Sequence, residues 1–266
     1  MAASFRPSRS RFGVVLPQGW RGDLDHLSDP VEQFEAMLGV AREADALGFD
    51  SVWLYDHLQP PPTFECWTSL AAVARETEHV RLGQIVTCNL YRNPALLGRM
   101  ALTLDALSHG RALLGLGAGW DEDEYRAHGY PEPWPAVGER LRLLDEGAAA
   151  ARRVAPAIPL LIGGQGERVL LRLVAKHADA CNLTDPPDPA HYRQKLAVLA
   201  RHCEELGRDP AEILKTAAFN APTENAVETL AAIMDAGIEY FVLYFGPPAN
   251  LDALRAFAGD VMPRLP

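Results

Sequence analysis

The sequence predicts one closed barrel of eight parallel strands and eight helices, the TIM or (β/α)8 barrel of the α/β class. Apolar runs of strand length alternate with helix-period segments along the whole chain. Eight such alternations favour a closed barrel over an open doubly wound sheet. The strands are nearly continuous apolar runs, as expected for strands that are buried on both faces. The 266 residues, 48% of them hydrophobic, suffice for a single core.

Each predicted element has its own local signal. The predicted strands, in chain order, are Phe12–Leu16, Ser51–Tyr55, Val80–Thr87, Ala112–Leu116, Pro159–Ile162, Ala180–Leu183, Leu214–Phe219 and Tyr240–Phe245. The predicted helices are Val31–Leu47, Trp67–Thr77, Pro94–Leu107, Glu139–Val154, Arg168–His177, His191–Leu206, Asn225–Ala236 and Leu251–Val261. Capping residues before proline, Asp29-Pro30 and Asn93-Pro94, are typical helix starts. Four glycines stand where helices should end: Gly48, Gly110, Gly207 and Gly237.

Composition narrows the class of partner. The net charge of −10 argues against nucleic acid and against an anionic membrane surface, which leaves a small molecule as the expected ligand. The four cysteines form no C-x-x-C pair and no zinc spacing, so we expect reduced thiols in a cytoplasmic protein. No apolar run reaches the length of a membrane span. We expect residues 1–11 to be a disordered tail and residues 12–266 to form a single domain.

Glycine, polar and aromatic residues gather after the predicted strands, where barrel enzymes carry their active sites. The most informative such segment is Gly115-Leu-Gly-Ala-Gly-Trp120, where glycines alternate before a tryptophan. A second glycine-rich segment, Gly163–Arg168, follows a strand and opens a helix, so its amides and Arg168 favour an anion. Either segment on its own is also compatible with an ordinary turn.

Several motifs together resemble the bacterial luciferase-like oxidoreductases. The motifs are Gly48-Phe-Asp-Ser-Val-Trp-Leu-Tyr-Asp-His57, Val86-Thr-Cys-Asn-Leu-Tyr-Arg-Asn-Pro94, the Gly-Trp-acidic-Tyr segment that ends at Tyr125, and Leu161-Ile-Gly-Gly164. Within that superfamily the chain is most similar to the branch that uses the deazaflavin coenzyme F420. The resemblance implies a TIM barrel with its cofactor across the carboxyl ends of the strands. It also implies a homodimer, formed through the helices at 67–77 and 94–107.

The chain departs from that family in two places. A short connector, Arg152–Pro159, replaces an excursion of the usual family members, and a second shortening follows Phe219. We therefore expect a compact variant of the barrel with shortened insertions. Its substrate side would be shallower or completed by a partner subunit.

The resemblance also implies where the cofactor binds. F420, or alternatively FMN, would lie between two glycine-rich walls, with its phosphate on the Gly163–Arg168 turn. A non-proline cis peptide is expected behind its ring, at Thr87–Cys88 or Cys88–Asn89. The expected cofactor-binding residues are Thr87, Cys88, Asn89, Gly117, Ala118, Gly119, Trp120, Tyr125, Gly163, Gly164, Gln165, Gly166 and Arg168.

His57 and Asp56 are the leading catalytic candidates. Hydride transfer moves a proton as well, and histidine titrates near neutral pH beside a carboxylate that can orient it. A structural histidine is the alternative. The acidic run Asp121–Glu124 favours a helix N-terminus, and consecutive residues on a helix cannot converge on one ion, so no metal is expected.

Three functions remain open from the sequence. The first is an F420-dependent oxidoreductase that transfers a hydride to or from a small organic substrate. The second is an FMN-dependent monooxygenase that a separate reductase supplies with reduced flavin. The third is a flavin- or deazaflavin-binding protein without turnover, which the two shortened segments suggest.

Overall fold

Eight parallel strands close into a barrel in which each strand pairs with the next along the chain and the last pairs with the first. The computed structural model describes residues 5–7, 9–58, 63–184, 187–247 and 250–265. The predicted TIM-barrel fold is confirmed. The strands are β1 (Phe12–Val15), β2 (Ser51–Asp56), β3 (Arg81–Cys88), β4 (Leu114–Gly117), β5 (Leu160–Gly163), β6 (Ala180–Thr184), β7 (Leu214–Asn220) and β8 (Tyr240–Tyr244). The helices are α1 (Pro30–Ala46), α2 (Cys66–Glu76), α3 (Pro94–Leu107), α4 (Glu122–Ala127), α5 (Val137–Val154), α6 (Leu170–His177), α7 (Pro189–Leu206), α8 (Ala226–Asp235) and α9 (Leu251–Ala256).

The expected residues begin and end the helices. Asp29 accepts a hydrogen bond from the N–H of Val31 at 2.9 Å, and Asn93 accepts one from that of Ala95 at 3.0 Å. A proline follows each of these caps. The glycines that were predicted to end helices all have positive φ, which glycine adopts at little cost. They are Gly48, Gly110, Gly207 and Gly237.

Most helix boundaries lie within one or two residues of the sequence prediction, and three helices differ in a way that affects the account. Helix α6 begins at Leu170 rather than at Arg168, because the turn after β5 runs on through residue 169. The short helix α4, after β4, was anticipated only as an acidic helix start. Helix α9 ends at Ala256, and the chain continues as a wider π-helical turn over Phe257–Val261.

Strand β3 carries one residue more than its neighbour between two aligned positions. Leu54 of β2 pairs with Gln84, but Asp56 pairs with Thr87, so three steps along β3 match two along β2. Such a bulge bends a strand and changes the direction of its side chains. The bulge lies next to the carboxyl ends of the strands, where the candidate site is expected.

The non-proline cis peptide of the described chain joins Ile85 to Val86, inside this bulge. The prediction of a cis bond at Thr87–Cys88 or Cys88–Asn89 is therefore wrong in position. Thr87 and Cys88 have already returned to regular pairing with β4, so the irregular backbone ends before them.

The alternating glycines of β4 make room for the bulge. A β-carbon on Gly115 would overlap the carbonyl oxygen of Gln84, and one on Gly117 would lie 2.6 Å from the Val86 side chain. Gly163 at the end of β5 meets the same valine, at 2.9 Å. The glycines that open the most informative sequence segment are thus required by a neighbouring strand.

The amino-terminal segment lies against the opposite end of the barrel. Phe5 is only 2% exposed, stacks on Trp53 at 6.1 Å between ring centres and meets Tyr240 edge-on. Arg9 donates a hydrogen bond to the carbonyl oxygen of Asp45 at 2.8 Å. The described part of residues 1–11 thus differs from the disordered tail that we expected, because Phe5 covers an aromatic floor inside the strands.

Three further expectations from the sequence concern the cysteines, membrane-spanning helices and the two short connections. All four cysteines lie in described parts of the chain, are buried and form no disulfide, as expected of reduced thiols. Among the described residues, no helix combines the length and the apolar character that crossing a membrane requires. The two expected short connections are present, with residues 155–159 between α5 and β5 and residues 221–225 between β7 and α8.

Replacing Gly115 by alanine should lower the free energy of unfolding by about 1–3 kcal/mol, the usual cost of overpacking a core. The new methyl group would overlap the backbone of β3 and could not be relieved by a side-chain rotation. Urea unfolding measures the loss. Gly39→Ala, in helix α1 with no atom within 4 Å of its new β-carbon, is the control and should stabilise the protein slightly. Equal stability of Gly115→Ala and wild type would contradict the packing role.

Candidate active site

A cavity of about 470 Å³ lies at the carboxyl ends of the strands, and all eight strands contribute to its wall. Its size is that of a small-molecule or cofactor site. The lining residues are Val15, Trp20, Arg21, Tyr55, Asp56, His57, Ile85, Val86, Cys88, Tyr91, Gly117, Ala118, Gly119, Trp120, Asp121, Glu124, Gly163, Gly164, Leu170, Asn182, Thr184, Ala218, Phe219, Asn220, Val242 and Tyr244.

The carboxylate of Glu124 binds groups from two other segments at one side of this cavity. Its Oε2 lies 3.0 Å from His57 Nδ1 and accepts a hydrogen bond from the Tyr91 hydroxyl at 2.7 Å. Its Oε1 accepts one from the N–H of Leu58. Burial opposes ionisation, but these hydrogen bonds outweigh burial and hold the pKa of Glu124 below its ordinary value. Glu124 is therefore an anion that orients His57.

The contact with Glu124 defines what each nitrogen of His57 can do. A ring nitrogen that faces a carboxylate carries the proton, so Nδ1 is the donor in the neutral ring. Nε2 has no hydrogen-bond partner among the described residues and remains available to a bound molecule. Burial and the hydrogen bond to Glu124 raise the pKa of Tyr91, which stays a neutral donor.

Two tryptophans hold the imidazole of His57 from different directions. Trp20 stacks on it with 4.7 Å between ring centres and 16° between planes. Trp120 meets it edge-on at 5.5 Å and is itself 70% exposed at the cavity mouth. Large flat rings beside a histidine offer apolar surface to a planar ligand.

The segment between β1 and α1 that carries Trp20 is anchored by the buried Asp23. Its carboxylate accepts hydrogen bonds from the N–H groups of Gln18 at 3.1 Å and Gly19 at 2.8 Å, and from the Tyr244 hydroxyl at 3.3 Å. Burial raises the pKa of Asp23, and the hydrogen bonds oppose that rise. These bonds fix where Trp20 stands.

Asp56 does not orient His57, contrary to the role that we assigned to it. Both oxygens of its carboxylate accept hydrogen bonds from Arg92, which also binds Glu65 at 2.8 Å. Burial raises the pKa of Asp56, and the charge of Arg92 opposes the rise. Neighbouring residues of a strand point to opposite sides, so Asp56 turns toward Arg92 while His57 turns toward Glu124.

Three candidate metal ligands meet beside the cavity. Single ligand atoms of His57, Asp121 and Glu124 lie within 4.8 Å of one another. Both oxygens of Glu124 already accept hydrogen bonds, and Asp121 accepts one from the N–H of Glu124 at 2.9 Å, which begins α4. The acidic run thus caps a helix, and the absence of a metal stays a prediction.

A second cavity, of about 380 Å³, shares part of its wall with the first and extends toward the start of α5. The side chains of Arg140 and Arg168 line it. Nε of Arg140 is buried without a hydrogen-bond partner in the described chain, and Arg168 has no ion-pair partner there. The positive charge of Arg168 is therefore available to an anion that enters this cavity.

The turn after β5 presents unsatisfied donors to the same place. The backbone N–H groups of residues 166–169 donate to no acceptor among the residues described. Glu167 also lines this cavity, and its carboxylate accepts hydrogen bonds from Lys195 at 2.7 Å and Gln194 at 2.9 Å. Free amides beside arginines form a site suited to an anion.

The structure brings most of the predicted site residues to these two cavities. Lining the first are His57, Asp56, Cys88, Gly117, Ala118, Gly119, Trp120, Gly163 and Gly164, and lining the second are Ala118, Gly119, Gly166 and Arg168. Burial raises the pKa of Cys88 to about 12, which suits packing rather than nucleophilic attack.

Four predicted cofactor-binding residues line neither cavity. Thr87 is fully buried in β3, and Asn89 donates a hydrogen bond to the carbonyl oxygen of Leu143 on α5. The Tyr125 hydroxyl donates to the carbonyl oxygen of Pro131, and Gln165 faces His191. Asn89, Tyr125 and Gln165 thus each have a protein partner that the sequence alone does not reveal.

Sequence reasoning missed several residues of the site. Glu124 had a usable signal, because Asp121 and Glu124 stand three residues apart as in a capping box, which points the glutamate back toward the strand end. Trp20, Arg21, Tyr91 and Arg140 carry no local signal of this kind, since their positions depend on loops and on distant contacts.

Comparison with known proteins gives a consistent result. A model of the luciferase-like monooxygenase family matches residues 10–255. The F420-dependent glucose-6-phosphate dehydrogenase of Intrasporangium calvum is 35% identical over 150 residues, which are 53% of this chain and 42% of that enzyme. The match therefore spans less than half of the dehydrogenase.

Two solved structures have the same fold. An F420-dependent secondary alcohol dehydrogenase in complex with an F420–acetone adduct gives a TM-score of 0.77 at 18% identity, covering 97% of this chain and 100% of that one. The oxygenating constituent of 3,6-diketocamphane monooxygenase of Pseudomonas putida, in complex with FMN, gives 0.74 at 12% identity, covering 97% and 99%.

Replacing Glu124 by glutamine should lower the free energy of unfolding near neutral pH, and the difference should shrink in acid. The lowered pKa of Glu124 provides stability that is present above its ordinary value of 4.5 and is lost as the pH falls through the folded-state value. Urea unfolding from about pH 3 to 7 measures this difference. Asp123→Asn, exposed on the same helix, is the control. A difference that is constant with pH would mean that Glu124 is not the ionised partner of His57.

Proposed function

The chain belongs to the luciferase-like monooxygenase family, and from this premise we propose that it is an F420-dependent oxidoreductase acting on a small organic molecule. One observation carries the proposal. A histidine oriented by a buried carboxylate faces a cavity that adjoins a second cavity lined by free amides and two arginines. The first cavity places His57 for proton transfer, and the second would bind the anionic tail of the cofactor. F420, when bound, supplies or accepts the hydride.

The anionic part of the cofactor would be held by the second cavity. The N–H groups of residues 166–169 and the side chain of Arg168 would bind the phosphate, and Arg140 would neutralise charge beyond it. The negative charge of Glu167, which also lines this cavity, would be offset by its ion pair with Lys195. FMN ends at its phosphate, whereas F420 carries further glutamates, so positive charge beyond the turn favours F420.

His57 would exchange the proton that accompanies the hydride, at its Nε2 atom. Glu124 holds Nδ1 and so keeps Nε2 directed away from the protein's own acceptors. Trp20 and Trp120 contact the ring from two directions and limit its rotation.

An FMN-dependent monooxygenase is the alternative, supported by the family description and by the FMN complex of the Pseudomonas putida protein. Such an enzyme would depend on a separate reductase.

The proposal also includes a homodimer located in the cytoplasm. Helix α3 exposes two leucines, Leu96 and Leu102, as a contact surface would.

The purified protein should bind F420 more tightly than FMN, and Arg168→Gln should weaken F420 binding about tenfold, as expected when one charged hydrogen-bond donor is lost. Quenching of tryptophan fluorescence measures both affinities. Arg153→Gln, exposed on α5, is the control for net charge. Tighter binding of FMN, with substrate-dependent oxygen uptake after reduction, would establish the monooxygenase instead. F420 binding without turnover would leave the protein as a binder.

Replacing His57 by asparagine should reduce kcat by about a hundredfold or more, the usual contribution of an acid–base group, while changing the Kd for F420 only slightly. Glucose 6-phosphate and 2-propanol serve as the first test substrates, followed at the absorbance of F420. His26→Asn, an exposed histidine, is the control. Equal losses in turnover and in F420 affinity would mean that His57 is structural.

A further inference from the structure

Arg21 occupies a place at the first cavity that the proposed hydride transfer does not use. Its guanidinium lies 4.2 Å above the ring centre of Trp20, which in turn stacks on His57 at 4.7 Å. The side chain is exposed and lines the cavity. We propose that Arg21 binds an anionic group, a carboxylate or a phosphate, of the substrate. The inference rests on the proposed function only in identifying the bound anion as part of the substrate.

The backbone around Arg21 is built to hold this position. Arg21 itself has φ of +61°, which is unfavourable for a residue with a β-carbon, and Gly19 and Gly22 have φ of +88° and +76°. Such strained residues persist where surrounding contacts impose them, and they concentrate at ligand clamps. Here the contacts are those of the buried Asp23 with the backbone of Gln18 and Gly19.

The charge of Arg21 is not neutralised within the described chain. No carboxylate there lies within ion-pair distance of it, and neighbouring Asp23 binds amides and Tyr244 instead. The other acids of the cavity wall have partners: Asp56 binds Arg92, Glu124 binds His57 and Tyr91, and Asp121 accepts a hydrogen bond from the N–H of Glu124. An anion that enters the cavity therefore meets one free guanidinium next to the stacked rings.

The position on the barrel separates this arginine from the expected place of the cofactor phosphate. Arg21 follows β1, whereas the free amides of residues 166–169 follow β5. In a closed barrel of eight strands in chain order, β1 and β5 stand on opposite sides. A cofactor phosphate bound after β5 thus leaves Arg21 free to bind a second anionic group on the opposite side of the cavity.

Inorganic phosphate is the probe for this site. In 1H–15N spectra, Trp20→Phe identifies the Trp20 indole N–H among the five tryptophans. Phosphate added to the F420-loaded protein should shift that signal, and Arg21→Gln should weaken the effect about tenfold. Arg21→Lys should recover part of the affinity, and Arg153→Gln, exposed on α5, should retain all of it.

Three results would overturn the proposal. One is equal phosphate affinity in Arg21→Gln and wild type. Another is phosphate binding that shifts other signals in the spectrum but not the Trp20 indole N–H. The third is a loss of F420 affinity in Arg21→Gln as large as that in Arg168→Gln, which would assign Arg21 to the cofactor. If wild type fails to bind F420, the proposed function fails, and the same titration of the unliganded protein still decides whether Arg21 binds the anion.

Discussion

The extra residue that β3 inserts between Gln84 and Thr87 is the constraint on which the site depends. The bulge places the Val86 side chain against β4 and β5, and only glycine fits there, at 117 and 163. Val86 and both glycines line the cavity at the strand ends. A change at either glycine would therefore move the bulge and the wall together.

Glu124 relates the fold to the chemistry. The capping interaction of Asp121 begins α4 and aims Glu124 back at the end of β2, where it meets His57 and the backbone of Leu58. One carboxylate thereby joins β2, the loop after β3 and α4. The same hydrogen bonds that keep it ionised also fix the tautomer of His57, so proton transfer and local stability have a common source.

Local features of the chain were predictable from the sequence, and distant pairings were not. Periodicity and capping residues located the strands and helices, and residue type after each strand located His57 and the 163–168 turn near the cavity. Glu124, by contrast, lies 67 residues from His57, and its contact depends on the closure of the barrel. Asp56, although adjacent in sequence, is not the carboxylate that orients His57, because the side chains of neighbouring strand residues point to opposite sides. The bulge in β3 shifts the cis bond two residues from its expected place, and no local residue pattern marks that shift.

A crystal structure of the F420 complex tests the account most directly. We expect the ring in the first cavity beside His57 and against the wall of β3 and β4, with the phosphate on the amides of residues 166–169. Arg21 should then remain free of the cofactor. A phosphate bound next to Arg21, or a ring out of contact with His57, would contradict the division of the barrel mouth into a cofactor side and a substrate side.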